Sequence, residues 1–185
     1  MNPVIGLDRD GTINVDKGYI SNYQNFEFID GSLEAIKMIR DKGYDVVIIT
    51  NQAGISTGEQ TMQDVDEVHG YMLTKMGEFG ITSINGLLYS TSNAKEDVYA
   101  KPNPGMFNKA EKEFGVDFSK GYYVGDKISD LKVAHKKKAT PILVKTGYGS
   151  YTIEKLNSYA NTELKKKTVI YENLLEFAES LSSLR

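Results

Sequence analysis

The chain has 185 residues, 40% of them hydrophobic, with no cysteine and a net charge of -3. That length suits one domain spanning residues 1–185, expected as a monomer, and the slight negative charge gives no sign of a polyanionic partner such as nucleic acid. The lack of cysteine excludes a disulfide framework and a thiolate metal site and fits a cytoplasmic protein; no apolar stretch approaches the ~20 residues of a membrane span, so no membrane partner is expected.

Short apolar runs rich in β-branched residues alternate with segments of helical period. The first, Val4 to Leu7, leads into Asp8-Arg9-Asp10-Gly11-Thr12. A helix follows with Leu33, Ile36 and Ile39 on one face, Ser32 as its N-cap and Gly43 at its end. A second run, Val46 to Thr50, continues into Asn51 and Gln52. The next helix starts at the cap Thr61, with Asp64 three residues on, and its buried stripe is Val65, Val68, Met72 and Met76. After a run at Gly86 to Tyr89, Lys101-Pro102 precedes a helix from about Pro104 to Phe114 that stops at Gly115. The run Tyr122 to Val124 opens onto Gly125-Asp126-Lys127-Ile128-Ser129-Asp130 and a helix from about Ser129 to Lys137. Ile142 to Val144 is a fifth strand, Thr168 to Tyr171 an edge strand, and a closing helix carries Leu174, Leu175, Ala178 and Leu181. This alternation predicts an α/β fold with a doubly wound, Rossmann-like parallel sheet, its ligand outside the carboxyl ends of the strands.

Polar residues gather just after those runs. Asp8 and Asp10 can both face a crevice if the backbone turns at Gly11, and Thr50, Asn51 and Gln52 can donate hydrogen bonds to phosphate oxygens. Phosphoryl transfer to a carboxylate needs an unprotonated nucleophile, a neighbouring acid for the leaving oxygen and cations to offset the phosphate charge. Asp8 suits the first role, Asp10 the second as general acid and then base, and Lys101 supplies a fixed positive charge. Mg²⁺ prefers oxygen ligands and keeps several waters, so Asp8, Asp126 and a main-chain carbonyl near Asp10 would suffice for it.

The spaced set DRDGT, TNQ, Lys-Pro and GDKxSD resembles the haloacid dehalogenase superfamily. The opening GLDRDGTINVDKGYISNYQNFEFIDG is similar to its family of heptose-bisphosphate and histidinol-phosphate phosphatases, and the resemblance extends over roughly residues 4 to 148. It implies a Mg²⁺-dependent phosphatase working through an aspartyl phosphate on a small phosphorylated substrate. Asp8, Asp10 and Lys101 would be catalytic, Asp8, Asp10 and Asp126 would surround the metal, and Thr50, Asn51, Gln52 and Lys101 would meet the phosphate. Further substrate contacts are implied for Asp16, Lys17, Gly18, Tyr19 and Lys127. A heptose bisphosphate is the leading substrate, with histidinol phosphate and a polynucleotide 3′-phosphate as rivals.

The departures from that family are specific. Its zinc loop carries Cys-x-His and Cys-x-Cys before Arg-Lys-Pro, where this chain has Ser90-Thr91-Ser92, Asp97-Val98-Tyr99 and Ala100-Lys101-Pro102. No zinc is expected there, and Ala100 cannot replace the arginine. The spans from Asp10 to Thr50 and from Thr50 to Lys101 are used by core elements, so a capless form is expected, with selectivity from the Asp16 to Tyr19 and Thr91 to Ala100 loops. Three roles stay open for Asp130: metal ligation through water, an ion pair with Lys101 or Lys127, or a helix cap. His69 is read on a helix surface and His135 in a last helical turn. The runs Lys136 to Lys138 and Lys165 to Lys167 are read as solvated faces, and the tyrosines as core edge or surface, with Tyr19 and Tyr148 within reach of a ligand.

Overall fold

The computed structural model describes residues 3–158 and 162–184. The β-branched runs pair as one six-stranded sheet: β1 (Val4–Leu7), β2 (Asp45–Asn51), β3 (Gly86–Ser90), β4 (Tyr122–Gly125), β5 (Thr140–Val144) and β6 (Val169–Tyr171). All neighbours are parallel, in the order β3-β2-β1-β4-β5-β6. The chain therefore winds outward from β1 to β3, returns to β4 beside β1 and winds outward the other way. The doubly wound α/β sheet is the observed architecture, and its order reverses between β1 and β4, where such sheets bind ligands.

Residues alternate across the sheet because side chains in a strand point to opposite faces. Ile5, Leu7, Val46, Ile48, Val124, Ile142 and Val144 share one core with α1 (Ser32–Asp41), α3 (Met62–Glu78) and α8 (Leu174–Ser180). Val4, Val47, Ile49 and Tyr123 face α4 (Gly105–Phe114) and α5 (Ile128–Lys136) on the other side. A smaller group joins Leu131 and Leu143 to Leu156 of α6 (Gly149–Leu156) and Leu164 of α7 (Thr162–Lys167). A short helix, α2 (Gly54–Thr57), follows β2.

Most helix ends follow the sequence signals. Thr61 and Asp64 form a reciprocal capping box at the start of α3, and Gly115 ends α4 in the left-handed conformation at φ 66°. The expected cap at Ser32 is corrected: Gly31, at φ 81°, is the cap, and Ser32 is the first helical residue with its hydroxyl buried and unpartnered. Helices α2, α6 and α7 carry too few apolar residues to announce themselves, α6 burying only Gly149, Thr152 and Leu156. Two residues read as surface or core edge are inside. His69 is 5% exposed and Tyr123 is fully buried. Among the described residues no helix is long and apolar enough to cross a membrane.

Candidate active site

Asp8 stands at the end of β1, where its main-chain N–H donates to the Val124 carbonyl of β4 at 2.9 Å, so the switch point of the sheet fixes its backbone. Its carboxyl oxygen Oδ1 lies 2.9 Å from Lys101 Nζ and accepts from the Arg9 N–H at 2.8 Å. Lys101 is itself enclosed. Its ammonium donates to Asp130 Oδ1 at 2.7 Å, to the Ile49 carbonyl at 3.1 Å and to the Tyr123 hydroxyl at 2.9 Å. Burial alone would lower its pKa, but Asp130 and Asp8 outweigh that and hold it well above the usual lysine range.

Asp130 fills two of the roles left open for it. Besides pairing with Lys101, it accepts at Oδ2 from the Lys127 N–H at 3.0 Å, which secures the first turn of α5. Asp126, at the end of β4, accepts from the Tyr148 N–H at Oδ2, 2.7 Å away. Its other oxygen, Oδ1, is buried with no hydrogen-bond partner. Burial pushes its pKa up to about 8 despite nearby Lys127, with Asp8 and Asp130 adding to the rise. One carboxylate oxygen each from Asp8, Asp126 and Asp130 lies within 4.8 Å of the others. An orphaned acceptor among converging carboxylates fits a divalent cation, which would remove both the repulsion and the shortfall. Gly11 permits this close approach: at φ 82°, a Cβ there would meet Asp126 Oδ2 at 2.2 Å.

Asp10 lines the cleft with Asp8, but its carboxyl is engaged differently from that of Asp126. It accepts from Arg9 Nε and Nη2 at 3.1 and 2.9 Å, from Asn14 Nδ2 at 2.9 Å and from Gln52 Nε2 at 2.9 Å. Burial raises its pKa, but the Arg9 charge and these hydrogen bonds prevail and hold it below the ordinary carboxylate value. With both oxygens accepting, its side chain is less suited to a metal than those of Asp8 and Asp126.

The cleft is about 240 Å³ and is lined by Asp8, Asp10, Thr50, Asn51, Asn93, Lys101, Lys127 and Ser129. Gln52 is not on that wall; its amide bridges Asp10 and Thr50 and accepts from Arg9. Asn51 ties the Lys101 segment to β2, accepting from the Lys101 N–H at 3.0 Å and donating to Asn93 at 2.9 Å. Asp16 reaches the rim through an ion pair with Lys127 at 2.9 Å, and Lys127 also lies over the Tyr148 ring. Lys17 pairs with Glu27 instead, Gly18 makes the turn at φ 78°, and Tyr19, 46% exposed, packs on Gly54. Where the related family has its zinc loop, hydrogen bonds hold the chain: Ser90 with Ser92, the Tyr99 N–H with Asp97, and Asn103 with the Lys95 and Asp97 carbonyls. Ala100 is buried and presents no side chain to the cleft.

Carboxylates and a lysine at the switch point of a parallel sheet define a phosphoryl-transfer site. The family model described as polynucleotide kinase 3 phosphatase matches residues 3–145. The D-glycero-β-D-manno-heptose-1,7-bisphosphate 7-phosphatase of Escherichia coli O6:H1 is 36% identical over 154 residues, 78% of this chain and 80% of that protein. The enzyme of the same name from Haemophilus ducreyi is 38% identical over 76% of this chain and 82% of its own length. Among solved structures, the D,D-heptose 1,7-bisphosphate phosphatase of B. bronchiseptica, complexed with magnesium and phosphate, superposes with a TM-score of 0.85, at 27% identity and 97% coverage of both chains. The chain belongs to the haloacid dehalogenase superfamily of phosphatases and, within it, to the family of these heptose bisphosphate phosphatases.

Proposed function

We propose that the protein is a Mg²⁺-dependent phosphomonoesterase that forms an aspartyl phosphate on Asp8 and acts on a sugar phosphate, D-glycero-D-manno-heptose 1,7-bisphosphate first among them. One observation carries the mechanism: Asp8, paired to Lys101 at 2.9 Å, joins Asp126, whose Oδ1 is buried without a partner, and Asp130 in a group with one carboxylate oxygen of each within 4.8 Å of the others. Its relatives' names support the choice of sugar. Mg²⁺ would be held by Asp8 and Asp126, with the Asp10 carbonyl, and would neutralise phosphate charge.

In this reading Asp8 attacks phosphorus and the bond to the sugar oxygen breaks as Asp10, ionised in the free site beside Arg9 and protonated once the negative charge of the phosphate lies against it, delivers that proton to the oxygen. Water then attacks the aspartyl phosphate, Asp10 takes its proton, and Asp8 is released with inorganic phosphate. Lys101 stays charged and balances both the nucleophile and the transferred group. Thr50, Asn51 and Lys127 line the cleft and would contact phosphate, while Gln52 acts from behind through Asp10. Asp16 and Tyr19 would meet the sugar at the rim. The working form is a cytoplasmic, capless monomer without zinc.

Histidinol phosphate and an oligonucleotide 3′-phosphate are the rivals, the second favoured by the description of the matching family model. Phosphate release with Mg²⁺ over heptose bisphosphate, simpler sugar phosphates, histidinol phosphate and a 3′-phosphorylated oligonucleotide decides among them. The heptose bisphosphate should have the highest kcat/KM, and Asp8→Asn should abolish turnover. Equal rates for Asp8→Asn and the parent protein, or no release from any sugar phosphate, would overturn the reading.

A further inference from the structure

Arg9 lies between the two aspartates of the first motif, and by volume it is the largest fully buried side chain among the described residues. None of the chemistry above uses it. A guanidinium taken out of water needs a carboxylate and a full set of acceptors, because removing its hydration without them is costly. Arg9 has them. Its Nε donates to Asp10 Oδ2 at 3.1 Å and its Nη2 to Oδ1 at 2.9 Å, a fork in which Nη2 also lies 2.8 Å from Oδ2; Nη2 donates to Gln52 Oε1 at 3.0 Å as well, and Nη1 lies 3.0 Å from His69 Nε2.

A guanidinium only donates, so His69 must accept at Nε2 and carry its proton on Nδ1. Burial and the Arg9 charge agree with that neutral state, pushing the His69 pKa down to about 3. His69 sits on α3 between Val68 and Met72 of the main core, so the far end of Arg9 is anchored to a packed helix. Gln52, at the end of β2, grips both Arg9 and Asp10. The final torsion of an aspartate is broad when free, and a planar fork held at its other end removes that freedom. A lysine, with one compact ammonium, cannot form the fork.

We propose that Arg9, backed by His69 and Gln52, is a positioning residue for the proton-transfer group Asp10, holding its carboxyl in the single plane from which it serves the leaving oxygen and then the attacking water. This rests on the role given to Asp10 above, and one substrate separates the two. The leaving group of p-nitrophenyl phosphate needs no protonation, so its first equivalent reports attack by Asp8, whereas continued turnover still needs Asp10 as base.

Arg9→Lys, Arg9→Met, His69→Phe and Asp10→Asn are compared with the parent protein by thermal unfolding. Rapid-mixing release of nitrophenolate and steady-state hydrolysis of an alkyl sugar phosphate are then followed, all with Mg²⁺. Asp10→Asn should release one fast equivalent and then stall. The Arg9 variants should show the same split, with the first equivalent retained, KM little changed and steady-state kcat down by about 100-fold. His69→Phe leaves the fork intact and should show the same pattern at about 10-fold. Equal losses in the first equivalent and in turnover, or parent kcat in folded Arg9→Met, mean that Arg9 is a structural filler and overturn the proposal. If Arg9→Met does not fold, parent kcat in both Arg9→Lys and His69→Phe overturns it equally. Absence of the split in Asp10→Asn indicts the role of Asp10 itself, and the proposal falls with it.

Discussion

Lys101 shows how one residue joins stability to chemistry. Its ammonium is the only cation within ion-pair distance of both Asp8 and Asp130 among the described residues. Lys101→Met removes that cation and leaves two buried carboxylates uncompensated, which should cost about 3–5 kcal/mol of unfolding free energy in urea without Mg²⁺. The same change should lower kcat about 100-fold or more, since a fixed charge at the phosphoryl group is lost. Gly11 is the other decisive position. Gly11→Ala places a side chain on a backbone at φ 82°, costing about 1–2 kcal/mol, and drives Asp126 from its place. Calorimetry should show weaker Mg²⁺ binding than in the parent protein, with a Tm loss smaller than that of Lys101→Met. Residue types and spacing made Lys101 and Gly11 legible before any coordinates. Arg9 was not, because a charged side chain reads as solvated until a partner for it is known.

At the scale of elements, the strands and most helices follow from periodicity and end signals because both are local. The Thr61 capping box is one case. Thr61→Ala should cost about 1 kcal/mol in urea unfolding while kcat for the preferred sugar phosphate stays unchanged, since α3 meets the site through His69, two turns beyond the cap. His69 itself could have been found. Val65, His69, Met72 and Met76 follow the spacing of four, three and four residues that keeps one helical face inward. Polarity, taken as exposure, concealed it. Asp130 shows the converse limit: its place in the first turn of α5 was legible, but holding Lys101 from there depends on a loop 29 residues away in sequence.

For the whole molecule, two buried groups set opposing pH dependences. His69 has a folded pKa of about 3 against an ordinary 6.5, so as pH falls through that interval the unfolded chain gains a proton the fold refuses, and stability declines. Asp126 has a folded pKa of about 8 against 3.8, so as pH rises through that interval the metal-free fold keeps a proton the unfolded chain has lost, and stability again declines. Metal-free protein should therefore have a flat Tm profile where the windows overlap and lose stability from pH 6.5 to about 8. Mg²⁺ replaces the Asp126 proton, so its stabilising effect should grow with pH, and with Mg²⁺ bound His69→Phe should remove the decline on the acid side. Thermal unfolding from pH 4 to 8 with and without Mg²⁺ measures all three effects. By itself the sequence determined the α/β class, the strand positions and the polar motifs at their ends, because side-chain alternation, helical period and turn chemistry act over a few residues. Only the tertiary structure decided which buried polar groups answer one another: Arg9 with His69 across 60 residues, and Lys101 with Tyr123 across 22. A charge inside a protein is tolerated only where distant chain segments bring its partners, and no local pattern records their arrival.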